Sequence, residues 1–251
     1  MRATLGWIRD FVACDMDAPE LADALTHRGL ECRASLEGVL EGVVVGEVVE
    51  VSPHPRAQRL RVCKVRADGE TLEVVCGAPN VVPGIKAPLA LAGARLPAGM
   101  EVQAAEILGV ISQGMLCSQA ELELGDDASG IWILPGDLEC GKRLDLALGL
   151  SDWVLSFELT PNRADCLSVL GIAFEVGAVV GSPVSIPEIS LEERGAPIRD
   201  RFQVEIRDPD LCPRYVARMV EGVEIKPSPL WMRRRLQLVG LRPINNVVDV
   251  T

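Results

Sequence analysis

Aromatic side chains are scarce in this chain, with four Trp, four Phe and a single Tyr among 251 residues, so any core has to be assembled from Val, Leu, Ile and Ala. Histidine is rarer still. His27 and His54 are the only two, which excludes a multi-histidine metal centre and limits a Cys–His nucleophilic pair to these candidates. His54 stands between Pro53 and Pro55 and reads as a turn residue. The eight cysteines (Cys14, Cys32, Cys63, Cys76, Cys117, Cys140, Cys166 and Cys212) include no C-x-x-C pair, so a zinc knuckle is excluded and the thiols read as reduced and buried. No apolar run approaches the roughly 18 residues of a membrane span, and Met1 to Asp10 lacks the basic-then-apolar order of a secretion signal. The expected location is the cytoplasm, away from the membrane. Positive charge is also short: 25 Lys and Arg against 36 Asp and Glu give a net charge of −11, which argues against nucleic acid bound over the whole surface.

The charge is unevenly spread. Between His54 and Arg95, seven basic residues (Arg56, Arg59, Arg61, Lys64, Arg66, Lys86 and Arg95) face only Asp68, Glu70 and Glu73, whereas Leu96 to Ser151 carries nine acids against Lys142 and Arg143. A module with one basic side offers RNA a local groove; a solvated strand face is the plainer alternative. The same block punctuates short apolar runs with Gly, Pro and Asn: VVVGEVVEV (Val43 to Val51), LRVCKV (Leu60 to Val65), a hairpin tip at Ala67 to Glu70, LEVVC (Leu72 to Cys76) and APLALA (Ala87 to Ala92). Strands this short and this close together predict a five-stranded, partly open barrel of the OB type.

Helical signals flank the block. Thr4 caps a turn carrying Leu5, Ile8 and Phe11, and Asp17 with Glu20 forms a capping box before a helix that Gly29 stops. A second helix is expected after Asp165 as its cap, with Leu167, Leu170, Ala173, Phe174, Gly177 and Val180 on one face and Gly181 as its end. Neither has a local partner, so the two are expected to pack on each other with the barrel inserted between them. After a proline-marked linker, strands are expected at Phe202 to Ile206 and Tyr215 to Val220. A helix capped by Ser228 follows, ending at Gly240, then a turn and an apolar strand in RPINNVVDVT. That strand stops in mid-element, which reads as a piece of a longer protein. The predicted fold class is therefore α+β multidomain. It comprises a discontinuous helical or α+β unit (1–39 plus 152–190), an inserted OB-type barrel (40–151), and the start of a further α/β unit (195–251).

Three motifs carry a resemblance. HPRAQRL (His54 to Leu60), VCGAPNV (Val75 to Val81) and SQGMLCS (Ser112 to Ser118) resemble the tRNA-binding OB domain of several aminoacyl-tRNA synthetases and free-standing tRNA-binding proteins. LGWIRDFV near the start, LTPNRADCLSVLGIAFE (Leu159 to Glu175) and RPINNVVDVT at the end are similar to the bacterial phenylalanine-tRNA ligase β subunit family. The resemblance covers essentially the whole chain and places residues 195–251 at the opening of the family's B3/B4 editing region. It implies an α2β2 enzyme that charges tRNA(Phe) with phenylalanine using ATP and Mg2+, with the α subunit, a second β subunit and tRNA as partners. Catalysis of ligation would lie in the α subunit. Editing of mischarged tyrosyl-tRNA would lie in the β subunit, because a pocket for a phenyl ring rejects an added hydroxyl only about 100-fold. This stretch is expected to hold no catalytic residues, no metal and no cofactor of its own.

Two alternatives stay open: a free-standing RNA-binding protein dimerising through its helical flanks, and a deacylase. Under the resemblance, Arg56, Arg59, Arg61, Lys64 and Lys86 are the candidate RNA-backbone contacts. Asn80, Ser112 and Gln113 are candidate hydrogen-bonding groups in the corner loops. Two positions depart from the family pattern: the usual HPNAD corner is HPRAQ, which adds charge, and Leu108 stands where a basic residue is common. Asn80 could instead shape a turn and Ser112 close the barrel, while Met115 reads as core. In TPNRAD, Asn162 and Arg163 are expected to fix a turn rather than to meet a partner. The consecutive Arg233, Arg234 and Arg235 are expected on a solvated helix face.

Overall fold

The chain enters through a three-residue strand, Arg2–Thr4 (β1), which runs directly into a short helix, Leu5–Arg9 (α1). Thr4 makes the switch: its backbone is extended, and its Oγ1 accepts from the Trp7 N–H at 3.1 Å. A second helix, Ala18–His27 (α2), begins where Asp17 Oδ1 accepts from the Glu20 N–H at 2.8 Å, and Gly29 leaves it at φ +87°. Cys32–Glu37 (β2) follows, then Val43–His54 (β3), Ala57–Ala67 (β4), Glu70–Cys76 (β5), Lys86–Leu91 (β6), Ala105–Ile107 (β7), Val110–Ser112 (β8) and Gly114–Leu116 (β9). A four-residue helix, Leu144–Ala147 (α3), precedes Asp152–Phe157 (β10). Val169–Val180 (α4) and Leu230–Leu238 (α5) complete the elements. The computed structural model describes residues 1–251, and the fold is mixed α/β with sheet predominating.

The strands form two main sheets. In the first, β10 lies between β1 and β2, antiparallel to both, with Thr4 opposite Val154 and Val154 opposite Ser35. Against this sheet pack Leu5 and Ile8 of α1, Leu21 and Leu25 of α2, and Ile172, Ala173 and Val176 of α4, forming a continuous apolar cluster with Leu155 and Phe157. The second sheet is antiparallel in the order β5-β4-β3-β6-β9. On β4 the alternation is strict over its last half: Cys63, Val65 and Ala67 are buried while Lys64 and Arg66 are exposed. Gly46 keeps β3 close to its neighbours, because a Cβ there would meet Val65 Cγ1 at 2.7 Å and Leu89 Cβ at 3.0 Å. The edges of this sheet approach each other near Gln113, whose N–H donates to the Glu73 carbonyl at 2.8 Å, but no ladder closes them.

Several sequence expectations are corrected here. Ser168, not Asp165, caps α4, its Oγ accepting from the Gly171 N–H at 3.0 Å; residues 164–167 form a 3-10 turn instead of the first helical turn. The later start also changes the buried face. Ile172, Ala173, Val176 and Gly177 face inward, whereas Leu167 and Phe174 stand 66% and 53% exposed. Phe202 to Ile206, Tyr215 to Val220 and the terminal RPINNVVDVT form no strands. Their apolar side chains are largely exposed, and an isolated strand pair without a sheet face to bury is marginal in water. Ser228 does not cap α5 either: its hydroxyl donates to Asp249 Oδ2 at 2.5 Å, and Pro229 holds the cap position without a side-chain bond.

The arginine triplet is the largest departure. Rather than lying solvated, Arg233 donates to the Leu124 carbonyl at 3.0 Å and Arg234 to the Leu150 carbonyl, and Arg235 pairs with Asp10 at 2.7 Å while lying over the rings of both Trp7 and Trp231. Three successive positions point in different directions around a helix, so all three can be used only where the body of the protein wraps the helix on several sides. The strands β1, β2 and β10, like the short β7, β8 and β9 and helix α3, were not read from the sequence: in the first sheet only β10 is rich in β-formers, and β2 (CRASLE) is extended because β10 pairs with it.

Candidate nucleic-acid interface

The basic residues of the second sheet do not form one patch. Lys64 and Arg66 project from the outer face of β4 onto β3, where Lys64 Nζ meets Glu50 Oε2 at 2.8 Å and Arg66 Nη2 meets Glu47 Oε2 at 2.5 Å. The register fixes these pairs, since Glu50 lies directly opposite Lys64 and Glu47 opposite Arg66. Each hydrogen bond lowers the pKa of its carboxyl and raises that of its cation, so both pairs stay ionised and mutually neutralised. Lys86 is turned inward, its Nζ donating to the carbonyls of Gly136 at 2.7 Å and Leu138 at 2.5 Å.

Asn80 spends both ends of its amide on Ile131, donating to its carbonyl at 2.8 Å and accepting from its N–H at 3.0 Å. Ser112 is buried, its hydroxyl donating to the Gly114 carbonyl at 2.9 Å and accepting from the Val75 N–H at 3.0 Å. These groups hold loops together. Gln113 is intermediate: its Oε1 accepts from the Glu73 N–H at 2.9 Å, which leaves its amide NH2 outward on an exposed residue.

What remains is the corner between β3 and β4. Arg56, Arg59 and Arg61 are exposed, and none has a carboxylate partner. Arg61 Nη1 is directed by the neutral carbonyls of Gln58 and Leu60 at 3.2 and 3.3 Å. Arg56 lies against Gly109, where a Cβ would come within 3.1 Å of Nη1. His54 is buried and organises the turn: Nδ1 accepts from the Arg56 N–H and Nε2–H donates to the Ile107 carbonyl, both at 3.1 Å, tying the corner to the β7–β8 hairpin. That hairpin presents Leu108 and Ile111 at 56% and 62% exposure beside the arginines. The neutralising role of Glu47 and Glu50 was not foreseen from sequence, although two acids inside the apolar run Val43 to Val51, on a strand expected to pair with the basic run Leu60 to Val65, are the signal that would have found it.

A second cluster is found at Asp165, Cys166 and Glu175, whose ligand atoms lie within 4.8 Å of one another. It does not fit Mg2+. Arg163 already occupies the centre, bonding Asp165 at 2.9 Å, Glu175 at 2.7 Å and the Cys166 sulfur at 3.0 Å, and a thiol is a poor ligand for an ion that demands oxygen in octahedral array. Arg163 holds the Asp165 carboxyl down to about 2. With its N–H bonded to the Thr160 carbonyl at 2.9 Å, Arg163 braces this turn.

Comparison with known proteins agrees with the basic corner's setting. A family model described as "Putative tRNA binding domain" matches residues 43–143, and one described as "B3/4 domain" matches residues 211–251. The phenylalanine–tRNA ligase β subunit of Syntrophus aciditrophicus is 46% identical over the whole chain, that of Geobacter sulfurreducens 47% and that of Geobacter metallireducens 48%. The chain spans 32% of each of these relatives. Among solved structures, a MetRS-related protein from Pyrococcus horikoshii aligns with 41% of the chain and 87% of its own at 21% identity, with a TM-score of only 0.30.

Proposed function

We propose that this chain, homologous over its whole length to phenylalanine–tRNA ligase β subunits, works as the tRNA-handling and scaffolding part of such a subunit, in an enzyme that charges tRNA(Phe) with phenylalanine at the expense of ATP. Its partners are then the α subunit, a second β subunit in an α2β2 assembly, and tRNA, in the cytoplasm. ATP and Mg2+ serve the assembly elsewhere than on these residues. In this reading the unit from 40 to 151 is an OB-type barrel inserted into a unit made of 1–39 and 152–190, and 195–251 belongs to the B3/4 region. The separate apolar clusters under the two sheets support that division.

One observation carries the RNA role: Arg56, Arg59 and Arg61 are exposed without acidic partners on a corner inside the tRNA-binding match. Lys64 adds little while Glu50 holds it, and Lys86, Asn80 and Ser112 serve the loops. The contacts are therefore to the backbone, with Gln113 NH2 as an additional donor. Three such contacts to unpaired RNA give a slope of log K against log salt of about −2, at ~0.7 per phosphate. Anisotropy of labelled tRNA with the protein in its natural assembly, at two salt concentrations, tests this. Replacing Arg56, Arg59 and Arg61 together by Ala should flatten the slope by about 2; a slope equal to wild type removes the corner from the interface.

A further inference from the structure

The end of β2, the Gly38–Leu40 loop, Arg95 and Pro97, Leu122–Leu124 and helix α5 converge on a cavity of about 440 Å³. Three guanidinium groups line it, from Arg2, Arg95 and Arg234. The protein leaves much of their hydrogen-bonding capacity unused. Arg2 gives Nη2 to Glu37 at 3.1 Å while its Nε is buried with no acceptor. Arg234 spends only Nε, on the Leu150 carbonyl, and keeps both terminal nitrogens free. Arg95 is exposed at the rim without an ion-pair partner. Gly38 makes room for this arrangement, since a Cβ at its φ of +78° would lie 2.8 Å from Arg234 Cζ.

Burial lowers the pKa of Arg234, the mark of a charge removed from water without full compensation. Planar guanidinium forks match a phosphate or carboxylate through paired N–H bonds. Two acids, Glu37 and Glu123, line the same space, and Gln237 gives its NH2 to the Glu123 carbonyl at 3.1 Å, so its own oxygen stays available. Glu37 Oε1 is taken by Arg2 and by the Ser35 hydroxyl at 3.0 Å, which leaves its Oε2 as the free acceptor; an anion alone would not call for that oxygen or for the Glu123 carboxylate. A ligand with an anionic end and several hydroxyls satisfies both halves, and the volume suits a molecule of nucleotide size.

We propose that this cavity binds a hydroxyl-bearing phosphate ester the size of a mononucleotide, its phosphate held by Arg2, Arg95 and Arg234 and its hydroxyls by Glu37 and Glu123. The nucleotide is either free or part of an RNA chain, and the test separates the two. Arg56, Arg59 and Arg61 lie outside the cavity lining, so the basic corner stands or falls on its own experiment.

With the protein in its natural assembly, equilibrium dialysis of labelled 5′-AMP, with inorganic phosphate as competitor, reads the free source, and tRNA anisotropy reads the RNA-borne one. The variants are Arg95→Gln, which touches no packing; Arg234→Lys, which keeps charge but loses the fork; and Glu37→Gln, which removes an acceptor but no positive charge. The expected result is AMP binding in the millimolar range or tighter, competed by phosphate and weakened about tenfold by Arg95→Gln and by Glu37→Gln. Should AMP fail to bind while tRNA affinity falls about tenfold in those same two variants, the nucleotide is RNA-borne and the site stands. Binding that Glu37→Gln strengthens marks mere attraction to positive charge and overturns the proposal. So does binding of AMP, phosphate and tRNA that is unaltered in all three variants with unchanged melting.

Discussion

Removing Arg235 should loosen helix α5 from the body of the protein by an amount that can be worked from its contacts. Its guanidinium lies 5.6 Å from the centroid of Trp7 and 5.5 Å from that of Trp231, and it pairs with Asp10 at 2.7 Å with the two side chains 31% and 47% exposed. Half-exposed cation–π contacts contribute about 0.5–1 kcal/mol each, and an exposed ion pair about 0.2–1 kcal/mol. Trp231 belongs to α5 itself, so the docking rests on the Trp7 contact and the ion pair, and Arg235→Ala costs roughly 0.7–2 kcal/mol of it, which is a rise of about 3- to 30-fold in opening of the helix. Amide hydrogen exchange over Leu230–Leu238 reads that opening directly. Trp7 sits on α1 and Asp10 caps its C-terminus, so both contacts tie α5 to α1; a double-mutant cycle of Arg235→Ala with Trp7→Leu isolates the first and should return a coupling of about 0.5–1 kcal/mol. Exchange in α5 that stays within about twofold of wild type in Arg235→Ala would refute the reasoning, because the bonds of Arg233, Arg234 and Gln237 would then be holding the helix alone.

Glu50→Gln should release Lys64 from its ion pair and raise tRNA affinity at low salt, steepening the salt slope by ~0.7, whereas Lys64→Ala should leave affinity nearly unchanged; the anisotropy titration reads both. Asp165 titrates at about 2 when folded against an ordinary 3.8, through the hydrogen bond from Arg163, so the folded state binds fewer protons. Its stabilisation is present above about pH 4 and lost as the pH falls toward 2, and thermal melts of Asp165→Asn should show a flatter acid limb over that window.

The sequence announces local chemistry well and long-range pairing poorly. Thr4 and Asp17 start their helices where their side chains can reach the third N–H beyond, a short-range rule that needs nothing else in the fold. β3 to β5 were readable because β-branched residues alternate or run together between turn residues, and β6 because its run of Ala and Leu is bounded by them. CRASLE at Cys32–Glu37 was not, because its extended form depends on β10, more than 110 residues later. The choice of Ser168 over Asp165 as cap turned on Arg163, which engages the Asp165 carboxylate and leaves the next good acceptor to start the helix. For the RNA corner, charge counting found Arg56, Arg59 and Arg61 but also gathered Lys64 and Lys86. Only the strand register, with Glu50 opposite Lys64, and the inward turn of Lys86 separate neutralised cations from free ones.

The central place of β10 in the first sheet sets an order of events during synthesis. Met1 to Glu37 leaves the ribosome with Leu5, Ile8, Leu21 and Leu25 ready to be buried, but the strand that joins β1 to β2 and the helix that covers them arrive only with residues 152–180. At ~5–20 residues per second the wait is on the order of ten seconds, long enough for the sheet around β3 and β4 to form first. Those early apolar side chains are exposed throughout that interval. The opening segment is thus a natural client for chaperones, and the last strand to be made, not the first, commits it to its fold.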